Sequence, residues 1–88
     1  MTSILSFARY YRLEGIDTIV LVSGVNGNGR KIFAYIRVGR DKLKILYRAL
    51  TDKMPSNLGA YGDILAIGLG EPCEDLKREL EEAYGFVS

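Results

Sequence analysis

Two β-forming segments joined through glycine and asparagine constrain this chain more than any other feature. IDTIVLVSG covers residues 16–24 and KIFAYIRV covers 31–38. β-branched and aromatic residues dominate both, as strands favour. The first is apolar almost throughout, which fits a central strand. The second alternates, with Ile32, Ala34, Ile36 and Val38 on one face and Lys31, Phe33, Tyr35 and Arg37 on the other. Between them lies GVNGNGRK (24–31), where Gly24 and Gly29 match the glycine spacing of a phosphate-binding P-loop. Arg30, Lys31 and Ile32 follow, so the metal-binding hydroxyl of that motif is missing. A strand also follows where a P-loop needs a helix N-terminus. Asn26-Gly27 and Asn28-Gly29 instead supply the positive φ values that tight hairpins require. The segment reads as a hairpin turn.

The flanking segments complete a small α+β domain spanning residues 1–88. Within SILSFARYYRLEG, Ser3 offers an N-cap, Ile4, Phe7, Ala8 and Tyr11 fall at helical spacing, and Gly15 marks a stop. Residues 1–15 are therefore expected to be helical, although Phe7, Arg9, Tyr11 and Leu13 also alternate. Asp41 is expected to cap DKLKILYRALTD, an amphipathic helix with Leu43, Leu46, Tyr47 and Leu50 on one face. DILAIGL (63–69) reads as a third strand. Pro72 is expected at the first position of a last helix, with Glu71, Glu74 and Asp75 at the positive end of its dipole. Leu76, Leu80, Ala83 and Tyr84 form its buried face, Gly85 ends it, and Phe86 is placed to fold back on the last turn. The expected order is (α)ββαβα, a three-stranded mixed sheet packed against helices, with the third strand parallel to one hairpin strand. A second glycine pair, IGLGEPC (67–73), has Cys73 where a dinucleotide-binding loop needs its third glycine, and reads as a strand-to-helix bend.

Side-chain chemistry narrows function by exclusion. The chain has no histidine and one cysteine, so the usual zinc sites and all Ser-His or Cys-His catalytic arrangements are missing. Calcium loops of the DxDxDG type are missing too. No catalytic residue, metal site or cofactor is expected, and Cys73 reads as a semi-buried structural residue. One cysteine agrees with a reducing compartment, and no apolar run approaches the roughly 20 residues that span a bilayer, so the cytoplasm is the expected location.

The formal net charge of +1 conceals two opposed halves. Residues 30–53 carry eight lysines and arginines against two aspartates, and residues 63–88 carry seven acids against two cations. In the basic half, Arg40, Lys44 and Arg48 form a stripe at i, i+4 and i+8. Lys31, Phe33, Tyr35 and Arg37 alternate cation and ring, a composition that sheets use to stack bases and hold phosphates.

Over these eight residues the strand resembles the RNP1 motif of RNA-recognition domains: Lys31, Phe33, Ala34, Tyr35 and Ile36 fit it, whereas Ile32 and Val38 depart. The resemblance implies base stacking on Phe33 and Tyr35. Val20 occupies the position on the neighbouring strand where that family places a second aromatic. Burial beneath the N-terminal segment is the competing expectation for the two rings. Without catalytic groups the chain is expected to act by contact, as a regulatory or protein-interaction module binding another protein or itself as a homodimer. The alternative is a nucleic-acid-binding domain. Either reading places the binding surface on Lys31, Phe33, Tyr35, Arg37, Arg40, Lys44 and Arg48.

Overall fold

A computed structural model describes residues 3–13, 15–51, 53–55 and 57–85. Strands β1 (Ser3–Arg12), β2 (Thr18–Val25) and β3 (Lys31–Val38) are followed by helix α1 (Arg40–Ala49). The short strand β4 (Lys53–Met54), a 3₁₀ turn (Leu58–Ala60), strand β5 (Asp63–Leu69) and helix α2 (Glu74–Tyr84) complete the chain. All pairings are antiparallel, in the order β4-β1-β2-β3-β5. The fold is thus a mostly β, five-stranded half-barrel sheet carrying two helices. This corrects the expected three-stranded mixed sheet and the (α)ββαβα order.

The hairpin forms where its sequence requires. The Asn26 N–H donates to the Arg30 carbonyl at 2.9 Å, and the Asn26 side chain accepts from the N–H groups of Asn28 and Arg30. Gly29 alone in this turn takes a positive φ, of 77°. Its lack of a Cβ makes that left-handed conformation accessible.

The first correction concerns residues 1–15. Within them Ser3–Arg12 forms β1 in place of a helix, and pairs with β2 from Ile4 opposite Val25 to Arg12 opposite Thr18. The physical reason lies in β2, which is buried from Thr18 to Gly24. A buried strand must satisfy its backbone N–H and C=O groups on both edges. β3 serves one edge, and β1 serves the other. The alternation in Phe7, Arg9 and Tyr11 therefore prevails over the helical spacing.

The second correction is the direction of β5. A single helical crossover would return the chain parallel to β3. Here α1 runs back toward the hairpin-turn end, where β4 pairs with Ser3 and Ile4. The segment through the 3₁₀ turn then recrosses the sheet, so β5 begins with Asp63 opposite Arg37 and ends with Leu69 opposite Ile32. Two passes reverse the strand. β5 runs antiparallel to β3.

Each face of the sheet has its own core. On the first, Val20, Val22, Ala34, Ile36 and Val38 pack with Leu46 and Leu50 of α1 and with Met54 and Leu58. On the second, Ile19, Leu21, Phe33 and Tyr35 pack with Leu13 and with Leu80 of α2, and Tyr11, Leu65, Leu76 and Tyr84 lie around them. The helix ends differ from expectation in detail. Gly39 is the N-cap of α1, and Asp41 lies in the first turn, where its negative charge is favourable at the positive end of the helix dipole. Tyr47, expected inside, is exposed. Cys73 is the N-cap of α2, leaving Pro72 just outside the helix, and Ala83 is exposed. Gly85 ends α2 in the left-handed conformation, its N–H bound to the Glu81 carbonyl at 2.9 Å. Phe86 lies outside the described residues. Among the described residues no helix is long and apolar enough to cross a membrane.

Leu46 is fully buried between α1 and the sheet. Leu46→Ala is expected to destabilise the fold by about 2–5 kcal/mol, as urea denaturation followed by circular dichroism would measure.

Candidate partner-binding groove

The seven residues singled out from sequence separate into two groups. Lys31, Phe33, Tyr35 and Arg37 occupy the second face, as their alternation requires. Phe33 and Tyr35 are 7% and 1% exposed and lie in the core beneath α2. The cover is therefore the C-terminal helix, with Tyr11 of β1 placing its ring centroid 6.5 Å from that of Tyr35. Gly68 lies opposite Phe33 on β5, so close that an added Cβ would stand 3.1 Å from the ring. Burial pushes the Tyr35 hydroxyl up to about 12, and Tyr11 and Glu81 add to the shift while Arg9 opposes it. The two cations stay at the margin. Lys31 stands 3.9 Å from Glu71, both exposed. Arg37 donates through Nε to Asp17 at 2.9 Å and lies 5.7 Å from the Tyr84 ring centre. These four residues thus form a packed, partly neutralised layer, and neither ring is exposed for stacking on a base.

Arg40, Lys44 and Arg48 are exposed on α1. Successive steps of four residues rotate by 40° beyond a full turn, so the stripe winds around the helix. Arg40 turns toward Ile16 and Asp17 of the β1–β2 connection, beside the N-cap Gly39 of its own helix. Lys44 and Arg48 turn toward β1. There they meet two residues that the helical reading of 1–15 concealed. Tyr10, Arg12 and Ala8 share the first face of β1, opposite Val20, Thr18 and Val22 of β2. A groove of about 410 Å³ runs between α1 and this edge, lined by Tyr10, Arg12, Thr18, Leu43, Lys44, Tyr47 and Arg48.

The floor and walls of the groove are rings, Leu43 and the alkyl stems of the cations. The centroids of Tyr10 and Tyr47 lie 6.1 Å apart with their planes at 41°. Partial burial and then the proximity of Tyr47 raise the pKa of Tyr10. Tyr47 is 66% exposed and stands over the groove. No carboxylate among the described residues lines it. Among the described residues, none of Arg12, Lys44 and Arg48 makes an ion pair or a side-chain hydrogen bond. Three cations thus surround an apolar surface without being ion-paired among the described residues, an arrangement that attracts anions. The carboxylates of Asp17 and Asp41 lie in the adjoining hollow that Lys44 also borders.

Other candidate chemistry is sparse. Among the described residues no group of three or more potential ligands gathers to hold a metal ion. Cys73 is exposed, where a semi-buried position was expected. The glycine pair before it forms a bend in which the Gly70 N–H donates to the Lys31 carbonyl at 2.8 Å. Neither a protein family, nor a curated protein, nor a solved structure matches this chain.

Phe33→Ala should lower stability by about 3–5 kcal/mol, as core aromatic truncations do, in urea denaturation. The raised Tyr35 pKa carries its own signature. A hydroxyl that ionises near 10 in the unfolded chain and near 12 in the fold stabilises the protein fully below pH 10. That contribution, on the order of 2–3 kcal/mol, is lost as pH rises from 10 to 12. Thermal melts over this range should show the decline, and Tyr35→Phe should remove that part of it.

Proposed function

We propose that this protein is a small non-enzymatic interaction module of the cytoplasm, and that the groove between α1 and β1 receives an acidic segment of a partner protein. One observation carries the reading: three cations, Arg12, Lys44 and Arg48, none of them ion-paired among the described residues, surround an apolar floor. An aliphatic or aromatic side chain of the partner fills the space between Tyr10, Leu43 and Tyr47, and its flanking carboxylates meet the cations. Charge-assisted hydrogen bonds to guanidinium and ammonium groups supply specificity, and the local positive field speeds encounter. Tyrosine and arginine are also the residue types on which binding energy at interfaces tends to concentrate.

The acidic α2 of another copy is a poor occupant. Leu76, Leu80 and Tyr84 face its own sheet, so its outer side offers carboxylates without an apolar anchor. Single-stranded nucleic acid is the competing ligand, because Tyr47 beside Lys44 and Arg48 combines a ring with phosphate-binding groups. The near-neutral net charge and the burial of Phe33 and Tyr35 weigh against it.

Fluorescence anisotropy with a labelled peptide of alternating Glu and Asp around a Leu-Phe centre tests the reading. Micromolar binding that weakens with salt is expected, with no binding of the same peptide carrying lysines for its acids. Lys44→Glu removes a contact to a charged group worth about 1.5–3 kcal/mol, so binding should weaken roughly ten- to hundredfold or more. Equal binding of both peptides, or none at low salt, overturns the proposal. Tighter binding of a mixed-sequence RNA oligomer that displaces the peptide transfers the groove to nucleic acid.

A further inference from the structure

β5 ends the sheet, and among the described residues no other strand pairs with its outer side. Edge strands are ordinarily guarded by lysine, by proline or by a covering element, because their free N–H and C=O groups invite pairing. β5 reads DILAIGL, with no charge after Asp63 and no proline. Three of its side chains are exposed to an extent unusual for their type: Ile64 at 44%, Ile67 at 64% and Leu69 at 63%. Its register with β3 sets Ile64 beside Ile36, Ile67 beside Ala34 and Leu69 beside Ile32, so all three lie on the first face. A bulge explains the spacing. The register shifts between Tyr35 and Ile36, which leaves Leu65 without a partner on β3.

We infer that β5 pairs antiparallel with β5 of a second copy, about a two-fold axis through Ile67, extending the sheet across the dimer. Directly opposite residues of an antiparallel ladder must share a face. Centred on Ile67, the pairing sets Ile67 against its own copy and Ala66 against Gly68 of the partner subunit. Leu65 is passed over as it is on β3, and Ile64 then meets Leu69 of the partner subunit. Every exposed apolar side chain of the strand acquires an apolar neighbour. Centring on Ala66 instead leaves Leu69 against Gly62, and centring on Gly68 leaves Ile64 against Glu71. Only the Ile67 axis of these three pairs all of the exposed residues.

Charge supports the same register. Asp63 lies opposite Arg37 and shares the second face with Lys31. The pairing brings Asp63 against Gly70 of the partner subunit, and Gly70 is hydrogen-bonded to Lys31. Lys31 is 67% exposed and only loosely held by Glu71, and its side chain spans one strand spacing. The two-fold therefore creates two Asp63–Lys31 contacts between copies. The cationic groove borders β1, on the other side of the sheet, and stays open in this dimer.

Sedimentation velocity of the chain should show a dimer, and Ile67→Lys should leave only monomer. Ile67 lies outside both cores, so that variant should retain the circular dichroism spectrum of the parent. The register is read by cross-linking in a Cys73→Ser background, which removes the exposed thiol. Ile67→Cys on the axis faces its copy at a separation a disulfide tolerates, and mild oxidation should link it efficiently. Leu69→Cys alone should link poorly, and the double variant Ile64→Cys, Leu69→Cys should link well. A chain that is monomeric at every concentration overturns the inference. So do a dimer that survives Ile67→Lys, open-ended assemblies, or equal linking of Ile67→Cys and Leu69→Cys.

Discussion

The burial of β2 is the constraint on which the rest of the fold depends. From Thr18 to Gly24 the strand has solvent on neither face and on neither edge. Its backbone must be paired on both sides, which draws in β3 and β1. Its side chains, alternately Val20 and Val22 on one face and Ile19 and Leu21 on the other, must be covered twice. α1 covers the first face and α2 the second, so the helices are separated by the sheet. Gly24 belongs to the same constraint, because a Cβ there would collide with the backbone carbonyl of Ile4 on β1.

How much of this was legible follows from how local each signal is. The hairpin over 18–38, α1, the strand at 63–69 and α2 with its Gly85 stop are written in turn residues and periodicity within a few positions. The state of residues 1–15 is not local. Phe7, Ala8 and Tyr11 satisfy a helical period while Phe7, Arg9 and Tyr11 satisfy an alternating one, and only the need of β2 for a second edge decides. The direction of β5 depends on the extra pass through the Leu58–Ala60 turn, which carries no periodicity at all. The burial of Phe33 and Tyr35 depends on which helix lands on their face. In the groove, Lys44 and Arg48 were visible as part of a stripe, whereas Tyr10 and Arg12 became so only once β1 was a strand.

The same separation of faces sorts the charge. The cations of α1 stand over the first face, and the acids of Glu74, Asp75, Glu79, Glu81 and Glu82 stand on the helix that covers the second. Lys31 and Arg37, the cations that β3 puts on the second face, are drawn to Glu71 and Asp17. Arg12, Lys44 and Arg48 make no ion pair among the described residues, and the sheet lies between them and the acidic helix. The near-zero sum of charges therefore says little about either surface.

Simple dimensions show why two surfaces of the first face remain open. A helix with its side chains is about 10–12 Å across, and strands are spaced about 4.8 Å apart, so one helix shelters roughly two strands. α1 settles over β2 and β3, whose residues supply the core beneath Leu46 and Leu50. A margin is left on each side. Over β1 the margin presents Tyr10 and Arg12, and the side of α1 that faces it adds Tyr47, Lys44 and Arg48. Over β5 the margin presents Ile64, Ile67 and Leu69 with no charge among them. A cationic ring-lined margin suits an anion carrying an apolar anchor, and a charge-free aliphatic margin beside an unpaired backbone suits another strand. The two margins differ in chemistry because they border different elements, so loss of one surface by substitution leaves the other intact.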